Sequence, residues 1–169
     1  MRSGLTNGTI MSKTTPATLA LTRAGIAFAA AAYDYHPGAE HIGVQAAEAL
    51  GVAPHLVLKT LMAEVDGKPV CVVVPSDHEV SMKKLAAAFA GKSAQMLKPD
   101  AAERLTGYKV GGISPFGQKR KVPTAIEATA LGLAEVFING GQRGLLLKLS
   151  PADALRAAEA KAVALVAEK

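Results

Sequence analysis

The clearest pattern in the chain is a pair of strand-length apolar runs, Val57–Val65 and Pro69–Val74, on either side of Asp66-Gly67. An Asp-Gly pair between such runs predicts a two-residue hairpin turn. Upstream, Thr15-Pro16 suits a helix start, because proline at the first helical position gives up an N–H that had no partner anyway. That helix carries Leu19, Leu21 and Thr22 and closes at Gly25, a natural C′ residue. Ile26–Tyr35 is predicted as a strand ended by His36-Pro37-Gly38, and Val44–Leu50 as a short helix ended by Gly51. Downstream, Ser81 is placed to cap a helix over Met82–Ala90 with Gly91 behind it, and Asp100 to cap one reaching Thr106. Residues 107–117 hold four glycines and predict a loop of special backbone geometry. Val122–Ile126, Glu135–Ile138 and Leu145–Leu149 are predicted as strands, the last two joined through 139–144. Pro151–Ala158 is predicted as a helix after Ser150, and the apolar stretch Ala162–Val166 fits strand or helix. Strands and helices mix without a βαβ beat. The pattern therefore predicts one α/β domain over 13–169: a mixed sheet, open or closed into a barrel, with helices packed outside.

Composition narrows this picture. The chain has 169 residues, the size of one ordinary domain. With 33 alanines, its core has to rest on a modest set of Val, Leu and Ile. Residues 1–12 are polar and unpatterned and are expected to be a disordered extension or an expression remnant. They lack the apolar core of a secretory signal, and no apolar run is long enough to span a membrane, so a cytoplasmic domain is expected. Aromatics make up 4% and Trp is absent, which argues against a broad base-stacking platform. The single cysteine, Cys71, excludes an internal disulfide and a multi-cysteine zinc site.

The net charge of +5 is unevenly spread. Residues 80–148 carry 11 Lys and Arg against 4 acidic residues, while the rest carries 8 basic and 10 acidic. The dense spots are Lys83-Lys84, Lys119-Arg120-Lys121 and Arg143. Such a face is either simply solvated or a rim for RNA phosphates, which hold a nucleic acid without reading its sequence.

Two features stand out as chemistry. Lys59 lies in an otherwise apolar run, so its ammonium either snorkels to water or stays partly desolvated beside a ligand. Gly111-Gly112-Ile113-Ser114-Pro115 is either a tight turn or a loop whose backbone amides approach a ligand oxygen. Other candidates are weaker. His36 and His41 lie five apart, with His55 and His78 elsewhere, and no H-E-x-x-H spacing supports a metal. Cys71 sits in a predicted strand as a small hydrophobe. Ser76-Asp77-His78 are contiguous, but triads are recognised by geometry. Walker-A, Rossmann and G-x-S-x-G patterns are absent.

Taken in order, Thr15-Pro16-Ala17, Tyr33 before His36-Pro37, Val57-Leu58-Lys59-Thr60-Leu61, the run Thr106–Lys119 (TGYKVGGISPFGQK) and Gly140-Gly141-Gln142-Arg143-Gly144-Leu145 resemble the YbaK-type Cys-tRNA(Pro) deacylases. These are relatives of the editing domain inserted in bacterial prolyl-tRNA synthetase, and the resemblance covers roughly 13–165. It implies a mixed, barrel-like sheet and a trans-editing enzyme that removes cysteine from mischarged tRNA(Pro), without metal or cofactor. By that resemblance Lys59 and Gly111 act at the ester, and Tyr33, Ile42, Thr60, Gly112, Ile113, Ser114, Pro115 and Asn139 shape the substrate site. Lys119, Arg120, Lys121 and Arg143 would meet tRNA phosphates, with prolyl-tRNA synthetase as a partner. Asn139 stands where relatives often carry Ser. Leu146 stands where some carry Asp, so no role for that carboxylate transfers. In the family the substrate's own thiol is the nucleophile, which suits segments with no general base beside them. A domain retuned to another amino acid such as alanine, or a non-catalytic tRNA- or synthetase-binding module, remains the alternative.

Overall fold

The computed structural model describes residues 14–36 and 42–168. The stretch 1–12 and the His41 half of the His36–His41 pair lie outside the described residues.

Helix α1 (Pro16–Arg23) starts as expected: Thr15 and Thr18 form a reciprocal capping box, with Pro16 in the first turn. The Thr15 hydroxyl also donates to Gly140 O at 2.6 Å, tying this helix to a distant loop. Strand β1 covers only Ala29–Ala32, shorter than the predicted 26–35. Alanines give that strand little to bury, and its residues are mostly exposed. Helix α2 (Ile42–Leu50) begins two residues before the predicted start.

The hairpin of β2 (Val57–Val65) and β3 (Lys68–Pro75) forms at the expected turn. Asp66 and Gly67 both adopt positive φ, 50° and 82°, as a right-twisted two-residue turn requires. Both faces of β3 are covered, which explains its unbroken apolar run. Val70, Val72 and Val74 pack with Leu85 and Ala86 of α3 (Met82–Ala88), while Val73 joins the core around Phe116 and Ile138. Ser81 caps α3 as predicted.

A short strand β4 (Ala94–Met96) was not evident in the pattern. Helix α4 (Pro99–Thr106) is not capped by Asp100. Pro99 takes the first turn, Lys98 becomes the N-cap, and Asp100 falls inside the helix where its charge still favours the N-terminus. Then follow β5 (Thr124–Glu127), a 3-10 turn over Ala128–Gly132, β6 (Val136–Asn139), β7 (Leu145–Leu149), α5 (Pro151–Ala157) and β8 (Lys161–Val163). The open 162–166 stretch is thus half strand.

The eight strands form one mixed sheet in the order β1-β7-β6-β2-β3-β5-β8, with β4 also on β2. Pairings β2–β6, β3–β5 and β5–β8 are parallel and the others antiparallel. Among the described residues no pairing joins β1 to β8, so the sheet stops short of hydrogen-bonded closure.

One buried carboxylate fastens the C-terminal segment. Glu127 is 2% exposed and accepts from Leu165 N (2.7 Å) and Val166 N (3.0 Å) through one oxygen. Its other oxygen accepts from Thr129 N (3.1 Å) and Thr129 Oγ1 (3.0 Å). Burial pushes its pKa up, but these hydrogen bonds outweigh it and hold it below the ordinary 4.5. Its stabilisation is therefore complete above the ordinary glutamate range and lost as pH falls through the lower folded value. Glu127→Gln, which cannot accept at both positions, is expected to cost about 2 kcal/mol at neutral pH. In acid titrations followed by thermal melting, the variant should also lose less stability below pH 5 than the wild type; equal acid sensitivity would count against this role.

Candidate active site

Among the described residues, strands cover the outer edge of β2 in two places. β6 pairs with Val57 and Leu58, and β4 with Ala63, Glu64 and Val65. Between them a gap opens into a cavity of about 490 Å³, lined from both faces of β2 by Leu58, Lys59, Thr60, Leu61 and Met62. Its other walls come from Tyr33 and Tyr35 after β1, the first turn of α2, the β4–α4 corner, the loop at 110–113, and Asn139 and Leu146.

The 107–117 loop is held by its own side chains. Gly107 closes α4 in the left-handed conformation, φ 83°. Tyr108 is buried and its hydroxyl donates to Phe116 O at 2.5 Å. Ser114 Oγ accepts from Phe116 N (3.2 Å), and Gln118 Nε2 donates to Ser114 O (3.0 Å).

A second loop, 139–144, is locked against the first. Asn139 Nδ2 donates to Gly111 O at 3.2 Å, while its Oδ1 accepts from Gly141 N (2.7 Å) and Gln142 N (3.3 Å). Arg143 Nε donates to Val110 O at 2.9 Å, and its guanidinium lies 5.3 Å from the Tyr35 ring centroid. Gly111 has φ 93°, and a Cβ there would fall 2.5 Å from Tyr35 Oη. These contacts fix the cavity's polar rim.

Lys59 keeps 24% of its side chain exposed, and its Nζ lies 3.6 Å from Glu79 Oε2, a carboxylate that is 78% exposed. An ion pair so open to water holds the ammonium weakly. Burial, and next the neighbouring Tyr35, raise the Tyr33 pKa above the ordinary tyrosine value, so its hydroxyl stays protonated at neutral pH. No His, Asp, Glu or Cys stands among the described residues lining the cavity. The Ser76-Asp77-His78 run is not a triad. Ser76 Oγ donates to Pro54 O (2.9 Å), while His78 pairs with Asp77 (2.7 Å). Cys71 is fully buried, and burial pushes its thiol up to about 12, which makes it a poor nucleophile.

The sequence profile described as "Aminoacyl-tRNA editing domain" matches residues 36–157, a span that contains most of this cavity's walls. The chain belongs to that family. A relative from Enterococcus faecalis (strain ATCC 700802 / V583), provisionally named Cys-tRNA(Pro)/Cys-tRNA(Cys) deacylase EbsC, is 34% identical over 122 residues, covering 70% of this chain and 74% of its own. A proline–tRNA ligase of Geobacter metallireducens (strain ATCC 53774 / DSM 7210 / GS-15) is 31% identical over 99 residues, covering 59% of this chain but only 17% of the ligase. A crystal structure provisionally described as a trans-editing enzyme for prolyl tRNA synthetase superposes with a TM-score of 0.77 at 21% identity, over 93% of this chain and all of that one. The fold is that of these editing domains.

Within this editing domain, the structure gathers Tyr33, Ile42, Lys59, Thr60, Gly111, Ile113 and Asn139 around one cavity. Gly112, Ser114 and Pro115 do not line it. Gly112 packs against the backbone of residues 142–143, and Ser114 is fully buried. Arg143 reaches the rim through Val110 and Tyr35. Lys119, Arg120 and Lys121 stand elsewhere: Arg120 and Lys121 line a separate groove with Lys68 and Phe89, and Lys121 pairs with Glu159 at 2.5 Å. Leu146 is the cross-strand partner of Asn139 and is buried beside it, an apolar side chain in the cavity's lining. Tyr35 was missed. Its spacing from Tyr33 places both on one face of an extended segment, a signal available in the sequence. No helix among the described residues is long and apolar enough to cross a membrane.

Proposed function

We propose that this editing domain acts in trans on Cys-tRNA(Pro), taking the aminoacylated 3′ end into the β2 cavity and cleaving its ester. The observation that carries this reading is the meeting of a lone ammonium, Lys59, with the 110–113 backbone in a cavity whose described walls are otherwise uncharged. The relative named for Cys-tRNA(Pro) and Cys-tRNA(Cys) supports the choice of substrate.

With no side chain here suited to pull a proton from water, the substrate supplies the nucleophile. The cysteinyl thiol sulfur attacks the ester carbonyl, a carbon–sulfur bond forms, and the carbon–oxygen bond to the ribose breaks. The thiol proton passes through solvent to the departing 3′ oxygen. Holding thiol and carbonyl together contributes about 7–11 kcal/mol in favourable cases. Lys59 and the backbone amides of Gly111 and Ile113 stabilise the negative charge that develops on oxygen. Arg143 meets a phosphate near the 3′ end, while Lys119, Arg120 and Lys121 hold RNA farther away. Prolyl-tRNA synthetase is the partner that would supply tRNA selectivity, since so small a domain reads little of a tRNA.

The test is deacylation of Cys-tRNA(Pro), Ala-tRNA(Pro) and Pro-tRNA(Pro). Loss of the cysteinyl ester alone is expected, and 3-mercapto-free analogues such as the seryl ester should survive. The apolar wall at Ile42 and Leu146 favours one second reading, a pocket retuned to alanine, which rapid loss of the alanyl ester would establish. No turnover on any ester would leave a tRNA- or synthetase-binding module.

A further inference from the structure

The gap in the sheet is one residue long. Val57 O accepts from Ser76 N at 2.8 Å, so residue 57 turns its backbone groups toward the β3 side. Met62 O accepts from Leu97 N at 3.1 Å, so residue 62 turns its groups to the opposite edge. Backbone groups alternate along a strand, so Lys59 and Leu61 face β3 while Leu58, Thr60 and Met62 face outward. Leu58 is covered by β6, and Met62 bonds to Leu97. Among the described residues, Thr60 alone points its N–H and C=O into the cavity with no strand opposite. Its side chain is equally unserved: Thr60 Oγ1 is buried and has no hydrogen-bond partner. Buried polar groups in native proteins are nearly always paired, so an unpartnered buried hydroxyl beside an uncovered stretch of strand edge marks a place for a ligand.

We propose that Thr60 docks the aminoacyl group as the missing residue of the sheet, a reading that rests on the editing function above. An aminoacyl ester carries an ammonium and a carbonyl on one carbon, the same arrangement as the N–H and C=O of a strand residue. Its ammonium donates to Thr60 O and its ester carbonyl accepts from Thr60 N–H, as in a hydrogen-bonded antiparallel pair. The gap admits one such residue, so a peptide strand does not fit it. Paired side chains share a face of the sheet, so the substrate side chain lies beside that of Thr60, between Leu58 and Met62. A cysteine thiol there donates to Thr60 Oγ1, and an alanine methyl leaves that oxygen unpaired. Thr60 is thereby a specificity-determining residue.

The probe is adenosine carrying cysteine through a non-hydrolysable 3′-amide, with a second probe lacking the α-amine. Amide hydrogen exchange in the free domain should show Thr60 exchanging faster than Lys59 and Leu61, and the cysteinyl probe should protect it. The des-amino probe should bind at least about ten-fold more weakly. Thr60→Pro removes an N–H that the fold does not use and should weaken the cysteinyl probe by a similar factor. Thr60→Val keeps the shape and should narrow the preference for the cysteinyl over the alanyl probe. A Thr60 amide already protected in the free domain, equal binding of both probes, or an unchanged preference in Thr60→Val would overturn strand-edge docking while the editing reading stands. A wild-type domain that binds neither probe overturns the editing reading as well.

Discussion

Lys59→Ala is expected to lower kcat/KM for deacylation by at least about 10²-fold, the scale of losing one group that stabilises charge on the reacting oxygen. The ammonium stands in β2 with Leu58 and Leu61 beside it in the cavity wall, and it is the one charged side chain among the described residues lining that cavity. Its neighbour Glu79 is largely exposed at 3.6 Å, so Glu79→Gln should change the rate by only a few-fold, as expected of a surface pair worth about 1 kcal/mol or less. Lys59→Arg should not restore the rate, because a planar guanidinium directs its donors differently from a compact ammonium. His36→Ala, His55→Ala and His78→Ala should stay close to wild type; His36 and His55 are exposed, and the ring of His78 is paired with Asp77. Steady-state kinetics on Cys-tRNA(Pro), with thermal melting to confirm folding, reads all of these. A histidine variant losing as much as Lys59→Ala would sink the thiol-assisted scheme.

What the sequence made legible follows from how local each signal is. Asp66-Gly67 specifies its hairpin through two adjacent positive-φ residues, and Thr15, Ser81 and Ser150 cap helices through bonds spanning three residues. Asp100 misled because Pro99 already occupies the first turn, which moves the cap two residues upstream to Lys98. β1 shrank because an alanine run carries no side-chain preference strong enough to hold a longer strand. β4 is three residues long, and its place is decided by pairing with β2, a contact no local pattern encodes. The site divides along the same line. Lys59 and the glycine-rich loop were visible as anomalies, yet their meeting depends on the gap between β6 and β4, which is a property of the sheet. Ser114 and Pro115 read as ligand-facing because the sequence cannot separate a loop that binds from one that turns inward. Charge density along the chain likewise grouped Lys119–Lys121 with Arg143, although only Arg143 reaches the cavity's rim.

Gly112→Ala should be nearly as damaging as losing Lys59, although it removes no functional group. Gly112 does not adopt a positive φ, so the difficulty is one of space. A Cβ there would lie 2.8 Å from Arg143 N, 3.0 Å from Gln142 C and 3.1 Å from Gln142 Cα. All three are backbone atoms, which cannot swing aside as a side-chain end can. One loop has to move away from the other, at a cost of about 1–3 kcal/mol in stability. That movement strains the bonds from Asn139 to Gly111 O and from Arg143 to Val110 O, the contacts that set the cavity's rim. A displacement of about 1 Å at a reacting centre costs on the order of 10²-fold in rate, so activity should fall far more than stability. Gly111→Ala supplies a contrast: its Cβ meets the flexible Tyr35 hydroxyl, but φ 93° strains any side chain. Tyr35→Ala should therefore relieve that variant only in part and should not rescue Gly112→Ala at all. Gly132→Ala, whose added carbon meets nothing within 4 Å, is the neutral control. Wild-type kinetics in a folded Gly112→Ala protein would show that the 139–144 loop does not hold the 110–113 backbone in place for catalysis.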